Sequence, residues 1–159
     1  MTPLALFLGV AVFQSILLDS FSIGGVKPDL FLLLLFFLSL SLEADRASFL
    51  GLLFGLYQDT LSGGPLGLKV FSFSLMGFLT ARLSEKLYTI AILPRFMLLA
   101  LIAVLSGATT LLLLRFFLDF QPLLPTFLRI ALPEALLTTV LGFLVLVFLK
   151  MRGALEVKP

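Results

Sequence analysis

Long, almost unbroken runs of apolar residues constrain this chain more than any other feature. The clearest runs cover residues 30–42, 97–114 and 135–149, and they leave no polar face for water. A helix that is apolar on every side is either deeply buried or surrounded by lipid. Because 60% of the residues are hydrophobic and the mean hydropathy is +1.21, too few polar residues remain to cover a water-soluble domain. The sequence therefore predicts an integral membrane protein.

Glycine, proline and charged residues divide this apolar sequence into segments of helical length. The breaks predict six transmembrane helices, at about residues 3–18, 28–42, 47–61, 66–83, 92–114 and 133–150. The second should open at Pro28, with Asp29 at its amino-terminal end, where a carboxylate suits the helix dipole. We expect an all-α fold with one bundle over residues 1–150 and a short cytoplasmic tail at residues 151–159, since no polar stretch is long enough for a second domain.

Basic residues predict the orientation of the bundle. With both termini in the cytoplasm, more basic side chains lie inside than outside, as the positive-inside rule favours. The inside set is Arg46, Arg82, Lys86, Arg95, Lys150, Arg152 and Lys158, and the outside set is Lys27, Lys69, Arg115 and Arg129. Arg82 and Lys86 share a helix face and are expected to contact anionic lipid head groups. Residues 3–18 lack the features of a signal peptide and are interpreted as a retained span.

The connection between the fifth and sixth predicted helices is unusual. Residues 115–132 contain Pro122 and Pro125, yet they are rich in phenylalanine and leucine. Such a segment is too apolar for an ordinary loop and too interrupted for a membrane span. It is either a tight surface loop or an interfacial or re-entrant segment that lies against the membrane or a partner.

The composition excludes several classes of function. Cysteine and histidine are both absent, which removes disulfides, thiol catalysis, the commonest general base and the commonest transition-metal ligand. The sequence contains no nucleophile with a plausible base and no phosphate-binding loop. The net charge of +2 does not indicate a nucleic-acid partner. We therefore expect neither enzymatic activity nor a bound cofactor or metal.

The densest polar and glycine-rich signal lies in residues 51–69. Gly51 and Gly55 share one helix face, where they allow another backbone to approach closely, and Asp59 continues that face. The turn residues Gly63, Gly64, Pro65 and Gly67 follow, and then Lys69. The glycine face either packs inside the protein's own bundle or binds a partner helix. The small-residue pairs Ala103/Gly107 and Ala5/Gly9 are interpreted as ordinary bundle packing.

Charged residues within or beside the predicted spans have several possible roles. Asp59 either meets water at the outer boundary, or pairs with Lys69 across the turn and closes the hairpin, or couples to an ion in a transporter. Glu134 suits the helix dipole at the amino-terminal end of the last helix, which is reason enough for it, and Arg129 at roughly one turn's distance could pair with it.

Four elements together resemble the MreD family of rod shape-determining proteins. These are Pro28-Asp29-Leu30, the Gly51-xxx-Gly55-xxx-Asp59 pattern, Pro65-Leu66-Gly67 and Gly77, which fall within residues 27–83. The resemblance implies a multi-pass protein of the bacterial inner membrane without enzymatic activity. It also implies binding to MreC, and cooperation with the RodA glycosyltransferase, its class B penicillin-binding partner and the MreB cytoskeleton in lateral peptidoglycan synthesis and cell shape. The family is similar in fold to the S components of ECF vitamin transporters.

Two functions remain open on the sequence alone. The first is a non-catalytic scaffold that docks a single-span partner such as MreC through small-residue faces. The second is a small-molecule binding or transport component that resembles an ECF S component, for which histidine and tryptophan are missing. Its polar candidates are Gln14, Ser15, Asp59, Lys69, Thr109 and Thr110.

Overall fold

The structure is a computed structural model, and it describes residue 9 and residues 25–63, 65–86, 91–118 and 122–151. Within these ranges every regular element is a helix. In chain order they are α1 (Leu30–Ser39), α2 (Ala44–Ser62), α3 (Leu68–Lys86), α4 (Ile92–Leu118), α5 (Leu123–Thr126), a π-helical segment (Phe127–Ala131) and α6 (Leu132–Met151). The all-α prediction is thus confirmed. The predicted span at residues 3–18 lies outside the described residues.

The last helix begins much earlier than predicted. The segment that was expected to be a loop or a re-entrant piece is helical on both sides of residues 119–121. The fifth predicted helix continues to Leu118, and α5, the π-helical segment and α6 follow one another without a break. Pro133 has no N–H to donate, and its ring disfavours the regular helix before it. Leu132 N–H instead donates to Phe127 O, five residues earlier, so the helix widens locally rather than ends.

The shorter helices differ from the predictions at their ends. The amino-terminal end of α1 is as predicted, because Asp29 is its N-cap and its side chain accepts from Leu32 N. The helix stops at Ser39 rather than residue 42, where the chain turns into α2. The third predicted helix begins at Ala44 rather than residue 47, and the fourth continues to Lys86 rather than ending at residue 83. The polar residues at these two positions are therefore part of helices. Polar side chains on an exposed turn do not end a helix, which explains these misplaced boundaries.

In the described residues, a buried apolar core joins α1, α2, α3, α4 and α6. Its fully buried large side chains include Phe31 and Phe36 on α1, Phe73 and Met76 on α3, and Ile102 on α4. Because α1 is only 10 residues long and buries most of its side chains, the other helices pack around it. Helices α2 and α3 form a close antiparallel pair, and α4 packs against both α3 and α6.

Two helical stretches in the described residues are long and apolar enough to cross a membrane. They are Ile92–Phe117 and Leu123–Phe148. The shorter apolar helix α1 is below membrane length, and α2 and α3 carry charged residues near their ends. The structure therefore supports an all-helical chain with two membrane-length helices, and the prediction of six spans is not confirmed.

Candidate functional site

The glycine face of α2 is filled by α3. A Cβ atom on Gly51 would overlap the carbonyl group of Phe73, and one on Gly55 would overlap the backbone of Lys69 and Val70. The contact is reciprocal, because a Cβ on Gly77 of α3 would overlap the carbonyl of Ala47. The structure thus shows the internal packing alternative for Gly51 and Gly55. A partner helix has no access to this face.

Asp59 caps the first turn of α3 from the neighbouring helix. One carboxylate oxygen accepts from Gly67 N at 2.8 Å and Val70 N at 3.3 Å, and the other accepts from Lys69 N at 3.1 Å. The residue is only 3% exposed, so the expectation that it meets water is wrong. A helix begins with N–H groups that have no partner in the helix itself, and Asp59 supplies acceptors for them. It closes the hairpin through the backbone of Lys69, not through the Lys69 side chain.

The turn between α2 and α3 depends on two glycines with positive φ. Gly63 has φ +61° and ends α2 in the left-handed conformation, and Gly67 has φ +111° just before α3. Side chains rarely adopt these angles, so glycine is required at both positions. Pro65 is exposed in this turn, and the predicted site residue Gly64 lies outside the described residues.

The Lys69 side chain turns away from Asp59 and enters a charged cluster formed by Asp29, Lys69 and Glu134. Lys69 Nζ lies 3.3 Å from Asp29 Oδ2 and 4.0 Å from Glu134 Oε1. It also lies 5.4 Å from the centre of the Phe73 ring. The cluster brings together the starts of α1, α3 and α6, which are far apart in the sequence.

Asp29 is the best-satisfied member of the charged cluster. Its Oδ1 accepts from Leu32 N at 3.0 Å, and Gln58 Nε2 approaches its Oδ2 at 3.5 Å. Its own N–H donates to Thr138 Oγ1 at 2.9 Å. The sequence indicated Asp29 as a helix cap, and it carried no signal for Thr138. The one signal for Asp29 was its place in the Pro28-Asp29-Leu30 motif.

Glu134 has a different position from the one predicted. The expected pairing with Arg129 is wrong, because Glu134 faces Lys69 and the Arg129 residue is exposed. Arg129 precedes Glu134 by five residues, which is more than one 3.6-residue turn of a regular helix. From the described residues, the Glu134 carboxylate accepts no hydrogen bond within the usual distance, since its contact with Lys69 is 4.0 Å long.

A cleft of about 250 Å³ opens beside the charged cluster, between α1, α3, α4 and the last helix. All three charged residues line it. Hydroxyl-bearing residues also contribute to its lining, namely Ser106, Thr110, Thr126 and Thr138, and so do the apolar residues Leu111, Leu114 and Ile130. Among the described residues, no group of three or more carboxylates could hold a metal ion.

Only part of the predicted ligand set reaches this cleft. Lys69 and Thr110 line it. Asp59 is occupied in capping α3, and Thr109 Oγ1 donates to Leu105 O in its own helix. Gln14 and Ser15 lie outside the described residues. The small-residue pair Ala103 and Gly107 packs inside the bundle, with a Cβ on Gly107 at 3.0 Å from Ala131 Cβ.

Comparison with known proteins then decides the family. The family model of rod shape-determining protein MreD matches residues 1–152. The chain belongs to the MreD family. This confirms the resemblance seen in residues 27–83 and extends it over most of the chain. MreD proteins are membrane proteins with a role in rod shape, which agrees with the two membrane-length helices. Comparisons with curated proteins and with solved structures found no match.

Proposed function

We propose that the chain is a non-catalytic scaffold of the bacterial elongation machinery. It crosses the inner membrane several times with both termini in the cytoplasm, binds MreC, and helps to organise lateral peptidoglycan synthesis and rod shape. RodA, its class B penicillin-binding partner and MreB are further components of the same assembly. The observation that carries this proposal is the MreD match over residues 1–152.

The distribution of polar groups supports a binding role over a chemical one. Asp59 is saturated by backbone N–H groups, and Asp29 is bound by Leu32, Gln58 and Lys69. These carboxylates hold helices together and are not arranged around a reacting group. Large apolar side chains are exposed along α4 and the last helix: Met97, Leu101, Leu112, Phe116, Phe117, Leu124, Leu128, Leu136, Val140, Leu144 and Phe148. Such faces contact lipid or a partner helix.

The test is co-purification from native membranes. An affinity-tagged chain is solubilised in mild detergent, and MreC from the same organism is quantified in the eluate. A tagged, unrelated multi-pass protein is the control. We expect MreC to be enriched at least tenfold over that control. A folded, monodisperse chain that retains no MreC would contradict the proposal.

The choice of variants for mapping this interaction follows from the structure. Substitutions at Gly51 or Gly55 would damage the bundle itself and say nothing about a partner. The exposed pair Phe116 and Phe117 on α4 can be changed to serine, with Leu52 and Leu53 on α2 as an exposed control pair. We expect the Phe116/Phe117 variant to lose MreC and the Leu52/Leu53 variant to retain it, with both proteins equally folded.

The proposed topology has its own test. Because the chain contains no cysteine, single cysteines can be placed at exposed ends of helices, such as Ser62→Cys at the end of α2 and Glu85→Cys near the end of α3. A membrane-impermeant maleimide added to spheroplasts should label the first position and not the second. The reverse pattern would invert the proposed orientation.

A small-molecule binding role is the second candidate, and the cleft is the observation that favours it. Its volume of about 250 Å³ falls below the usual range of about 300–1,000 Å³ for ligand pockets, so a vitamin-sized ligand would fit poorly. A thermal-shift screen with vitamins and lipid precursors tests it. A saturable shift would support this role, and the absence of any shift would favour the scaffold.

A further inference from the structure

The charged cluster lies where the neighbouring helices end at different heights, which we call the step in the bundle. We call the end at which α2 turns into α3 the distal end. Ser72 Oγ of α3 lies 3.3 Å from Ser106 Oγ of α4, which fixes the relative heights of the two helices. At about 1.5 Å per residue, Lys69 stands about 4.5 Å distal of this contact and Arg115 about 13.5 Å distal of it. Helix α4 therefore rises about 9 Å above the charged cluster.

The last helix gives an independent measure of the same step. Glu134 is level with Lys69 through their 4.0 Å contact, and Arg129 precedes it by five residues. At the same rise per residue, Arg129 stands about 7.5 Å distal of the cluster. Two helices thus form a wall about 8 Å high beside the cluster, and the cleft lies at the base of that wall.

The charged cluster contains more acceptors than donors. With its carboxylates ionised, Asp29, Lys69 and Glu134 carry a net charge of −1. Lys69 already donates to Asp29 at 3.3 Å, whereas the Glu134 carboxylate accepts no hydrogen bond from the described residues. An uncompensated charge in an apolar surrounding is costly, so the cleft favours a cationic group.

The order of charged and apolar residues along the cleft indicates which kind of molecule carries that cation. Going distally from the charged cluster, the lining residues Leu111, Ile130 and Leu114 follow in turn, because Leu111 and Leu114 lie toward the carboxyl-terminal end of α4 and Ile130 precedes Glu134 on the last helix. A lipid of the distal leaflet has the opposite order, with its head group distal and its chains toward the membrane centre. A lysine or arginine side chain that enters from the distal end has the matching order, an apolar stem above a charged tip.

We propose that this cleft receives a basic side chain from the membrane-boundary segment of a partner protein. The ammonium or guanidinium group binds the Glu134 carboxylate, and the aliphatic stem lies against Leu111, Leu114 and Ile130. Ile130 is half-exposed and stands at the entrance. The inference rests on the proposed function for the identity of the partner, MreC, and it adds the site and the chemistry of the contact.

The test compares Glu134→Gln with Glu85→Gln in the co-purification of MreC. Glu134→Gln removes the charge and keeps the shape, and Glu85 is an exposed carboxylate at the other end of α3, paired with Arg82 at 3.9 Å. We expect Glu134→Gln to lower MreC recovery at least fivefold, with Glu85→Gln within twofold of the wild type. Both variants should elute as monodisperse proteins, which shows that the loss does not come from misfolding.

Photocrosslinking gives a second, independent readout. Benzoylphenylalanine at Ile130 should crosslink to a peptide of MreC that contains lysine or arginine, and Glu134→Gln should abolish that crosslink. MreC that co-purifies equally well with Glu134→Gln, or a crosslink to lipid only, would overturn the cleft as its site and leave the proposed function intact. Failure of the wild type to retain any MreC would instead contradict the proposed function.

Discussion

The two halves of this molecule differ in the length of chain between their charged ends. In α2 and α3, thirteen residues separate Arg46 from Asp59 and Lys69 from Arg82, which corresponds to about 20 Å. In α4, twenty residues separate Arg95 from Arg115, or about 30 Å, close to the hydrocarbon thickness of a typical bilayer. The half formed by α2 and α3 (the thin half) is thus about 10 Å thinner than the half that contains α4 (the thick half). The charged cluster lies at their junction.

The two halves are also held together by different forces. The thin half depends on backbone contact, because Gly51, Gly55 and Gly77 bring the backbones of α2 and α3 together. The Asp59 side chain of α2 also accepts hydrogen bonds from backbone N–H groups at the start of α3. The thick half uses side-chain packing, with Leu99 and Ile102 fully buried. The contact between α2 and α3 is thus made by backbone atoms, whereas α4 packs through side chains.

The largest expected effect comes from the same substitution made once in each half. Gly55→Ala places a methyl group on the backbone of Lys69 and Val70, which cannot move aside, whereas Gly107→Ala meets only Ala131 Cβ at 3.0 Å. We expect Gly55→Ala to destabilise the protein by about 3 kcal/mol and Gly107→Ala by less than about 1 kcal/mol. Thermal unfolding in detergent, followed by size-exclusion chromatography, measures both. Equal losses would mean that the two halves do not differ in packing.

The next effect concerns the cap on α3. Asp59→Ala removes the acceptor of three backbone N–H groups, and we expect a loss of about 2–3 kcal/mol. Asp45→Ala, an exposed carboxylate in the first turn of α2, is the matched control and should change stability by less than about 0.5 kcal/mol. Amide hydrogen exchange should be faster at Gly67, Lys69 and Val70 in Asp59→Ala alone. Unchanged exchange at these amides would show that the cap is dispensable.

A smaller effect is expected at the junction of the halves. Lys69→Met leaves Asp29 and Glu134 without their cation, and since the lysine side chain is 21% exposed, we expect a loss of about 2 kcal/mol, less than for a fully buried pair. Adding Glu134→Gln removes one of the two stranded charges. The double variant should therefore be more stable than Lys69→Met alone. If it were less stable, Glu134 would not be coupled to Lys69.

The fold class and the short-range features of the thin half could be predicted from the sequence. The apolar runs predicted helices, Asp29 was placed at the start of α1, and Gly51, Gly55 and Asp59 were singled out together. These features depend on residues close in sequence, or on a type of contact that only glycine permits. The family was also visible in residues 27–83, because the motif residues are the ones that make these contacts.

The charged cluster could not be predicted in the same way. Asp29, Lys69 and Glu134 come from three helices, and only the packing of those helices brings them together. Glu134 contacts Lys69 of another helix and not Arg129 of its own, which spacing along the chain does not reveal. Asp59 was expected at a water boundary because it stands near the end of α2, yet the turn at Gly63 and Gly67 folds α3 over it.

The smallest perturbation tests how lipid meets the two halves. Leu61 on α2 and Leu112 on α4 are 56% and 59% exposed and stand at nearly equal height, since each lies about 3–5 Å distal of the Asp59–Lys69 contact. A nitroxide on a single cysteine at either position should leave stability unchanged. If lipid thins around the short half, as helices with short apolar stretches favour, the label at Leu61 should be more accessible to a water-soluble nickel chelate, and the label at Leu112 to oxygen. Oxygen-dominated relaxation at both positions would mean that the bilayer does not thin, and that the charged cluster lies several ångströms below the hydrocarbon boundary. In that case the Glu134 carboxylate would depend even more strongly on a partner cation, because no lipid head group would reach it.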